Sequence, residues 1–150
     1  GGGRRAEARG MRVRGVRRNE AIDEVIASSD TIVLSTPLTP ATRGLMSRAR
    51  LAMMKASAVL INIGRGAVVD EAALIAALPR IRGAALDVFE DEPLPESSPL
   101  WSMPNVLISP HSADHTADSH ARAMDFFLRN LERFEKGEDL ENVVDFDKGY

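Results

Sequence analysis

The sequence has no cysteine, and only one tryptophan and one tyrosine, among its 150 residues. Without cysteine there is no disulfide framework, no thiolate zinc site and no cysteine nucleophile, a pattern compatible with a reducing compartment. Long apolar runs are also missing. None approaches the roughly 20 residues that a membrane-spanning helix needs, so no membrane partner is expected. Charge of one sign is lacking as well: 19 Lys and Arg face 22 Asp and Glu, a formal net charge of -3. No broad basic footprint argues for a nucleic-acid partner. His111, His115 and His120 offer no zinc spacing with a third ligand, and no metal is expected. What remains, 44% hydrophobic and 27% charged residues, is the composition of a globular domain long enough to bury a core.

Five short runs read as strands: residues 11–16, 31–36, 58–63, 83–88 and 106–109. Those at 31–36, 58–63 and 106–109 are nearly all apolar or β-branched, as suits central strands of a parallel sheet covered on both faces. Helical patterns lie between them. One runs from Asn19 or Glu20 to Ser28, with Ile22, Val25 and Ile26 on one side. A second is capped by Asp70, has Glu71 in its first turn and ends at Leu78 before Pro79. A third starts at Thr116 or Asp118 and ends near Lys136, with Gly137 as C-cap. Its Ala121, Met124, Phe127, Leu128, Leu131 and Phe134 recur three and four apart, and this stripe is expected to pack on the chain's own sheet. Alternating strands and helices predict an α/β fold with a doubly wound parallel sheet. Residues 91–99, rich in acid, proline and serine, read as a loop. Residues 138–150 leave the last helix behind. Trp101 reads as a packing aromatic, His115 and His120 as surface or packing residues.

Ligands of open parallel sheets sit beyond the carboxyl ends of the strands. That rule selects the loops after the five runs, and three of these carry Arg65, Glu92 and His111. An arginine fork holds a carboxylate in one plane. A histidine gives or takes a proton near neutral pH. A neighbouring carboxylate favours the charged imidazolium, which can then protonate a developing alkoxide. The set suits reduction of a 2-keto acid with hydride from a nicotinamide. Each residue also has an ordinary reading: Arg65 as a loop arginine, Glu92 as a solvated acid in an acidic stretch, His111 as a strand-end histidine.

Four blocks in order make the sequence resemble a known family. They are Ser29-Asp30-Thr31-Ile32-Val33-Leu34 with Pro37-Leu38-Thr39-Pro40-Ala41-Thr42; Asn62-Ile63-Gly64-Arg65-Gly66-Ala67-Val68-Val69-Asp70-Glu71; Ala85-Leu86-Asp87-Val88-Phe89-Glu90-Asp91-Glu92-Pro93-Leu94; and Pro104-Asn105-Val106-Leu107-Ile108-Ser109-Pro110-His111. The chain resembles the D-isomer-specific 2-hydroxyacid dehydrogenases, closely from about Gly10 to His120 and loosely beyond. The resemblance implies a Rossmann-like domain that binds NAD(P). It also implies an oxidoreductase acting on a small 2-hydroxy or 2-keto acid of the glyoxylate or hydroxypyruvate type. It makes Arg65 the substrate-binding catalytic arginine, His111 the acid/base and Glu92 its carboxylate partner. Asp87 falls where the family contacts the nicotinamide amide. Thr36, Pro37, Thr42, Ile63, Gly64, Arg65, His111 and Ala113 fall on the rim where it touches the cofactor. Asn142-Val143-Val144-Asp145 looks like the family's return segment, so residues 1–137 read as a partial nucleotide-binding domain and 138–150 as a return toward a substrate domain.

The family pattern breaks in three places. Its Gly-x-Gly-x-x-Gly loop and first strand would precede Gly1, and Gly1-Gly2-Gly3 lacks the motif's spacing. We therefore expect a fragment, incomplete at its N-terminus. Arg17, followed by Arg18, stands where an aspartate usually meets the adenosine ribose, which favours NADP over NAD through pairing with a 2′-phosphate; the ordinary reading is a pair of solvated turn residues. Ser112-Ala113-Asp114 departs from the glycine-containing form common after the histidine. A homodimeric parent and a cytoplasmic location are expected, an organellar address staying open because the chain starts at Gly1. The competing readings are an NAD(P)-sensing binding module and a non-catalytic truncated subunit.

Overall fold

In the computed structural model, residues 2–16 and 21–147 are described. Four strands, β1 (Thr31–Leu34), β2 (Val59–Asn62), β3 (Gly83–Leu86) and β4 (Val106–Ile108), form one parallel sheet in sequential order. Among the described residues five α-helices accompany them: α1 (Gly2–Glu7), α2 (Asp23–Ser28), α3 (Arg48–Met53), α4 (Glu71–Ala77) and α5 (Ser119–Glu135). The fold is Rossmann-like α/β, and a sequential strand order is that of one half of a doubly wound sheet.

Register explains where the core sits. Leu34, Asn62, Leu86 and Ile108 pair in one row, as do Ile32, Leu60, Ala84 and Val106 two residues earlier, so all eight share a face. That face meets Ile26 of α2, Leu51 of α3, and Ala73 and Leu74 of α4 in one apolar cluster. Parallel crossovers of the same hand bring successive helices to the same side. The opposite row carries Val33 and Leu107, which are 54% and 74% exposed. Among the described residues the buried layer therefore lies on one side of the sheet.

Local signals place the elements. Asp70 caps α4, its Oδ1 accepting the Ala73 N–H at 2.9 Å. Ser47 caps α3 in the same way through Arg50 N–H. Gly137, at φ 68°, ends α5: its N–H donates to Phe134 O and the Glu138 N–H to Arg133 O, the paired bonds of a Schellman stop. Beyond it Asn130 holds Glu141 by both backbone groups, at 2.9 and 3.1 Å, so residues 138–141 turn back along α5.

Several expectations are corrected. Residues 11–16 form no strand: no ladder neighbour reaches them among the described residues, and a β pattern without one stays irregular. Helix α2 starts at Asp23, and Asn19 and Glu20 lie outside the described residues. The apolar stripe of α5 does not pack on the sheet. No residue of that helix is buried, and Met124, Phe127, Leu128, Leu131 and Phe134 all stay largely exposed. Trp101 is 56% exposed, and its indole N–H donates to Pro95 O.

Candidate active site

The three loops predicted to carry chemistry meet along the carboxyl edge of β2, β3 and β4. Arg65 leaves β2 between two glycines with different duties. A Cβ on Gly64 would lie 2.8 Å from Thr36 O, and one on Gly66 only 1.8 Å from Phe89 O. Glycine at these positions lets the β2 loop touch the loops after β1 and β3, so the three strand ends share one rim. Beneath it sits Asn62, 1% exposed. Its Oδ1 accepts the Gly64 N–H at 3.1 Å and its Nδ2 donates to Arg65 O at 3.0 Å. Both ends of the amide are used, as burial requires. The exposed Arg65 side chain donates from Nη1 to Gly64 O at 2.8 Å.

Glu92 and His111 form the contact the sequence suggested. His111 Nδ1 and Glu92 Oε2 are 2.7 Å apart, while Glu92 Oε1 accepts the Phe89 N–H at 2.9 Å. Both carboxylate oxygens are thus fixed. The hydrogen bond from His111 and that from Phe89 hold the Glu92 carboxyl below its ordinary range against partial burial, with the Arg65 charge helping. An ionised Glu92 makes Nδ1 the donor and leaves Nε2, the other ring nitrogen, to meet a ligand.

Asp87, 3% exposed at the end of β3, organises the His111 loop. Its Oδ1 accepts the Ser109 hydroxyl at 2.5 Å and the Ser112 N–H at 2.9 Å; its Oδ2 accepts the Ala113 N–H at 2.9 Å; its backbone oxygen accepts the His111 N–H at 2.9 Å. Burial works to raise the Asp87 carboxyl, but the Ser109, Ser112 and Ala113 bonds and the nearby His111 outweigh it and hold it below its ordinary range. Four lone-pair sites and three side-chain contacts leave one acceptor position, on Oδ2, without a hydrogen bond from these groups.

The remaining expected cofactor residues spread along the same edge. Thr36 Oγ1 is buried and has no partner, a polar atom that a ligand at this rim would satisfy. Thr42 instead spends its hydroxyl on its own loop, donating to Pro37 O at 2.7 Å and accepting the Thr39 N–H at 2.8 Å. Ile63, Pro37 and Ala113 are exposed at the rim. Arg17 and Arg18 lie outside the described residues. No group of His, Asp and Glu among the described residues could hold a metal ion. Asn62, Ser109 and Glu71 were not singled out from sequence. The first closes an apolar strand run with a polar residue, which is a usable signal. Glu71 Oε2 accepts the Glu90 N–H at 3.2 Å across the loops.

A parallel sheet that gathers a buried unpartnered hydroxyl and a histidine–carboxylate pair along its carboxyl edge has the α/β form in which ligands sit at the strand ends. The chain belongs to the family described as D-isomer specific 2-hydroxyacid dehydrogenase, NAD binding domain, whose model matches residues 3–113. It is 50% identical over 129 residues to glyoxylate/hydroxypyruvate reductase B of Pectobacterium carotovorum subsp. carotovorum (strain PC1), covering 82% of this chain and 39% of that protein. Among solved structures it resembles a D-isomer specific 2-hydroxyacid dehydrogenase from Xanthobacter autotrophicus Py2 in complex with NADPH and MES. The identity there is 49% and the TM-score 0.81, over 88% of this chain and 55% of that one. An NADPH-dependent glyoxylate/hydroxypyruvate reductase from Sinorhizobium meliloti, in complex with NADP and sulfate, aligns with a TM-score of 0.85 at 34% identity, over 99% of this chain and 52% of that one. The chain thus spans about half or less of the relatives it matches.

Proposed function

We propose that this chain is the catalytic rim of an NAD(P)-dependent oxidoreductase that interconverts a 2-keto acid and a D-2-hydroxy acid, with glyoxylate or hydroxypyruvate as the substrate type. The observation that carries the reading is the 2.7 Å pair between His111 Nδ1 and Glu92 Oε2 on the same edge as Arg65. When bound, a reduced nicotinamide supplies the hydride. The chain's residues supply the rest. The Arg65 fork pairs with the substrate carboxylate and fixes the plane of the keto group. His111 donates the Nε2 proton to the carbonyl oxygen as negative charge develops there. Glu92 keeps the ring oriented through Nδ1 and stabilises its charged form before the transfer. In the oxidative direction His111 takes the hydroxyl proton back.

The cofactor would lie across Thr36, Pro37, Thr42, Ile63 and Gly64, with its amide at Asp87 Oδ2 and Ala113. Arg17 and Arg18 would meet a 2′-phosphate, which favours NADP. The NADPH and NADP in the Xanthobacter and Sinorhizobium structures support this choice. A homodimer suits the exposed stripe of α5, and light scattering of the eluted protein checks it. A cysteine-free chain fits the cytoplasm, the location we assign.

Turnover is the test. The whole protein is expected to oxidise NADPH with glyoxylate or hydroxypyruvate, faster than it oxidises NADH. His111→Gln is expected to lower kcat by at least about a hundredfold. Full activity in His111→Gln would overturn the assignment, and a clear preference for NADH would overturn the role of Arg17 and Arg18.

A further inference from the structure

Parallel register sets Ser109 beside Asp87. Leu86 pairs with Ile108, so the next residue on each strand continues the row, and the Ser109 N–H donates to Leu86 O at 3.0 Å. Side chains at matched positions of neighbouring strands share a face. Pro110 then disfavours a helical backbone at Ser109, keeping it extended with its hydroxyl toward Asp87. After the proline the chain turns sharply: His111 has φ 52°, in the left-handed region where a side chain other than glycine is strained. Three bonds from the turn hold that conformation, His111 N–H to Asp87 O, Ser112 N–H to Oδ1 and Ala113 N–H to Oδ2.

Two of those bonds work only if the carboxylate plane faces the Ser112 and Ala113 amides. The terminal torsion of an aspartate is broad and does not fix that plane by itself. The Ser109 hydroxyl, at 2.5 Å from Oδ1, does. We propose that Ser109 is a positioning residue of this site: its hydroxyl sets the Asp87 carboxylate, the carboxylate sets the turn, and the turn presents His111 Nδ1 to Glu92. The proposal rests on the reading of His111 as the acid/base. It accounts for a hydroxyl placed two residues before the histidine whose hydrogen bond goes to Asp87.

The test uses the whole protein with isotope labelling, and it reads geometry rather than turnover. Ser109→Ala, Ser109→Cys and Ser109→Thr are compared with the parent by amide hydrogen exchange and by the ring nitrogen and proton signals of His111. Loss of a hydrogen bond to a charged acceptor is expected to speed exchange at Ser112 and Ala113 in Ser109→Ala about tenfold relative to amides of β2 and β3. The Nδ1 proton signal of His111 should move toward that of an unpaired ring. Ser109→Thr should restore both, and Ser109→Cys, a weak donor, should fall between. Parent-like exchange and ring signals in Ser109→Ala would overturn the proposal, as would a loss of protection spread evenly over the sheet. If Ser109→Ala does not fold, parent-like loop signals in Ser109→Cys give the same negative answer. Absence of turnover in the whole protein with these loop signals intact would count against the dehydrogenase reading alone.

Discussion

Gly66 has no room for a side chain. A Cβ there would sit 1.8 Å from Phe89 O and 2.5 Å from Glu90 N, both backbone atoms that cannot swing aside. Gly66→Ala must therefore push the β3 loop away from the β2 loop, and overpacking of this kind costs about 1–3 kcal/mol or more. The loop that moves carries Glu92, so the damage reaches the site. A urea titration is expected to show the loss of stability, and His111 ring signals are expected to report a loosened Glu92 contact. Unchanged stability would mean that the loops are not in contact. Asn62 works from below in the same region. Asn62→Leu keeps volume but removes the acceptor for the Gly64 N–H, leaving that buried donor unpaired, while Arg65 O keeps the bond from the Val68 N–H. Its expected cost is about 1–3 kcal/mol for the donor left buried and unsatisfied. Denaturant midpoints check it, and a change confined to Arg65 signals with parent-like stability would argue instead for a purely local role.

At the scale of elements, α4 depends on its cap. Asp70 Oδ1 accepts the Ala73 N–H, and the Asp70 N–H donates to Met46 O. Asp70→Ala removes the first bond and keeps the second, so the expected loss is about 1 kcal/mol, read as a lowered denaturant midpoint with the sheet signals unchanged. That cap was legible in the sequence, as were four of the five strand runs and the Gly137 stop, because each rests on local chemistry. Residues 11–16 were misread for the opposite reason: a strand exists only with a neighbour, and alternation says nothing about whether one is present. Helix α3 was not read at all. Six residues, with only Leu51 buried, are too few for a period to emerge, and the Ser47 cap was the one signal available. The site divides the same way. The common edge of Arg65, Glu92 and His111 was legible because the loops after parallel strands lie at one end of the sheet. Asn62 and Ser109 were not, because they act on backbone atoms whose positions only the folded chain defines.

At the scale of the whole molecule, the carboxylates predict how stability follows pH. Glu92 and Asp87 are held below their ordinary values of 4.5 and 3.8, chiefly by the His111 bond in the first case and, against burial, by Ser109, Ser112 and Ala113 in the second. Groups with a lowered folded value contribute stability that is full above the unfolded value and is lost as pH falls through the folded one. Glu71 runs the other way. Burial, with Glu90 and Asp91 nearby, raises it above 4.5 despite the bond from Glu90 N–H. Its contribution is present below pH 4.5 and disappears as pH rises through its folded value, so at neutral pH its ionised form is a liability. The two signs separate in one experiment. Urea midpoints of the parent are expected to fall as pH drops from about 5 toward 3, the window set by the two lowered groups. Glu71→Gln keeps an oxygen for the Glu90 N–H and removes the charge, so it should be more stable than the parent at pH 7 and no more stable at pH 3.5. A Glu71→Gln midpoint equal to the parent's at pH 7 would mean that the carboxylate is solvated there. Its bond from the Glu90 N–H would then be an exposed contact between α4 and the β3 loop.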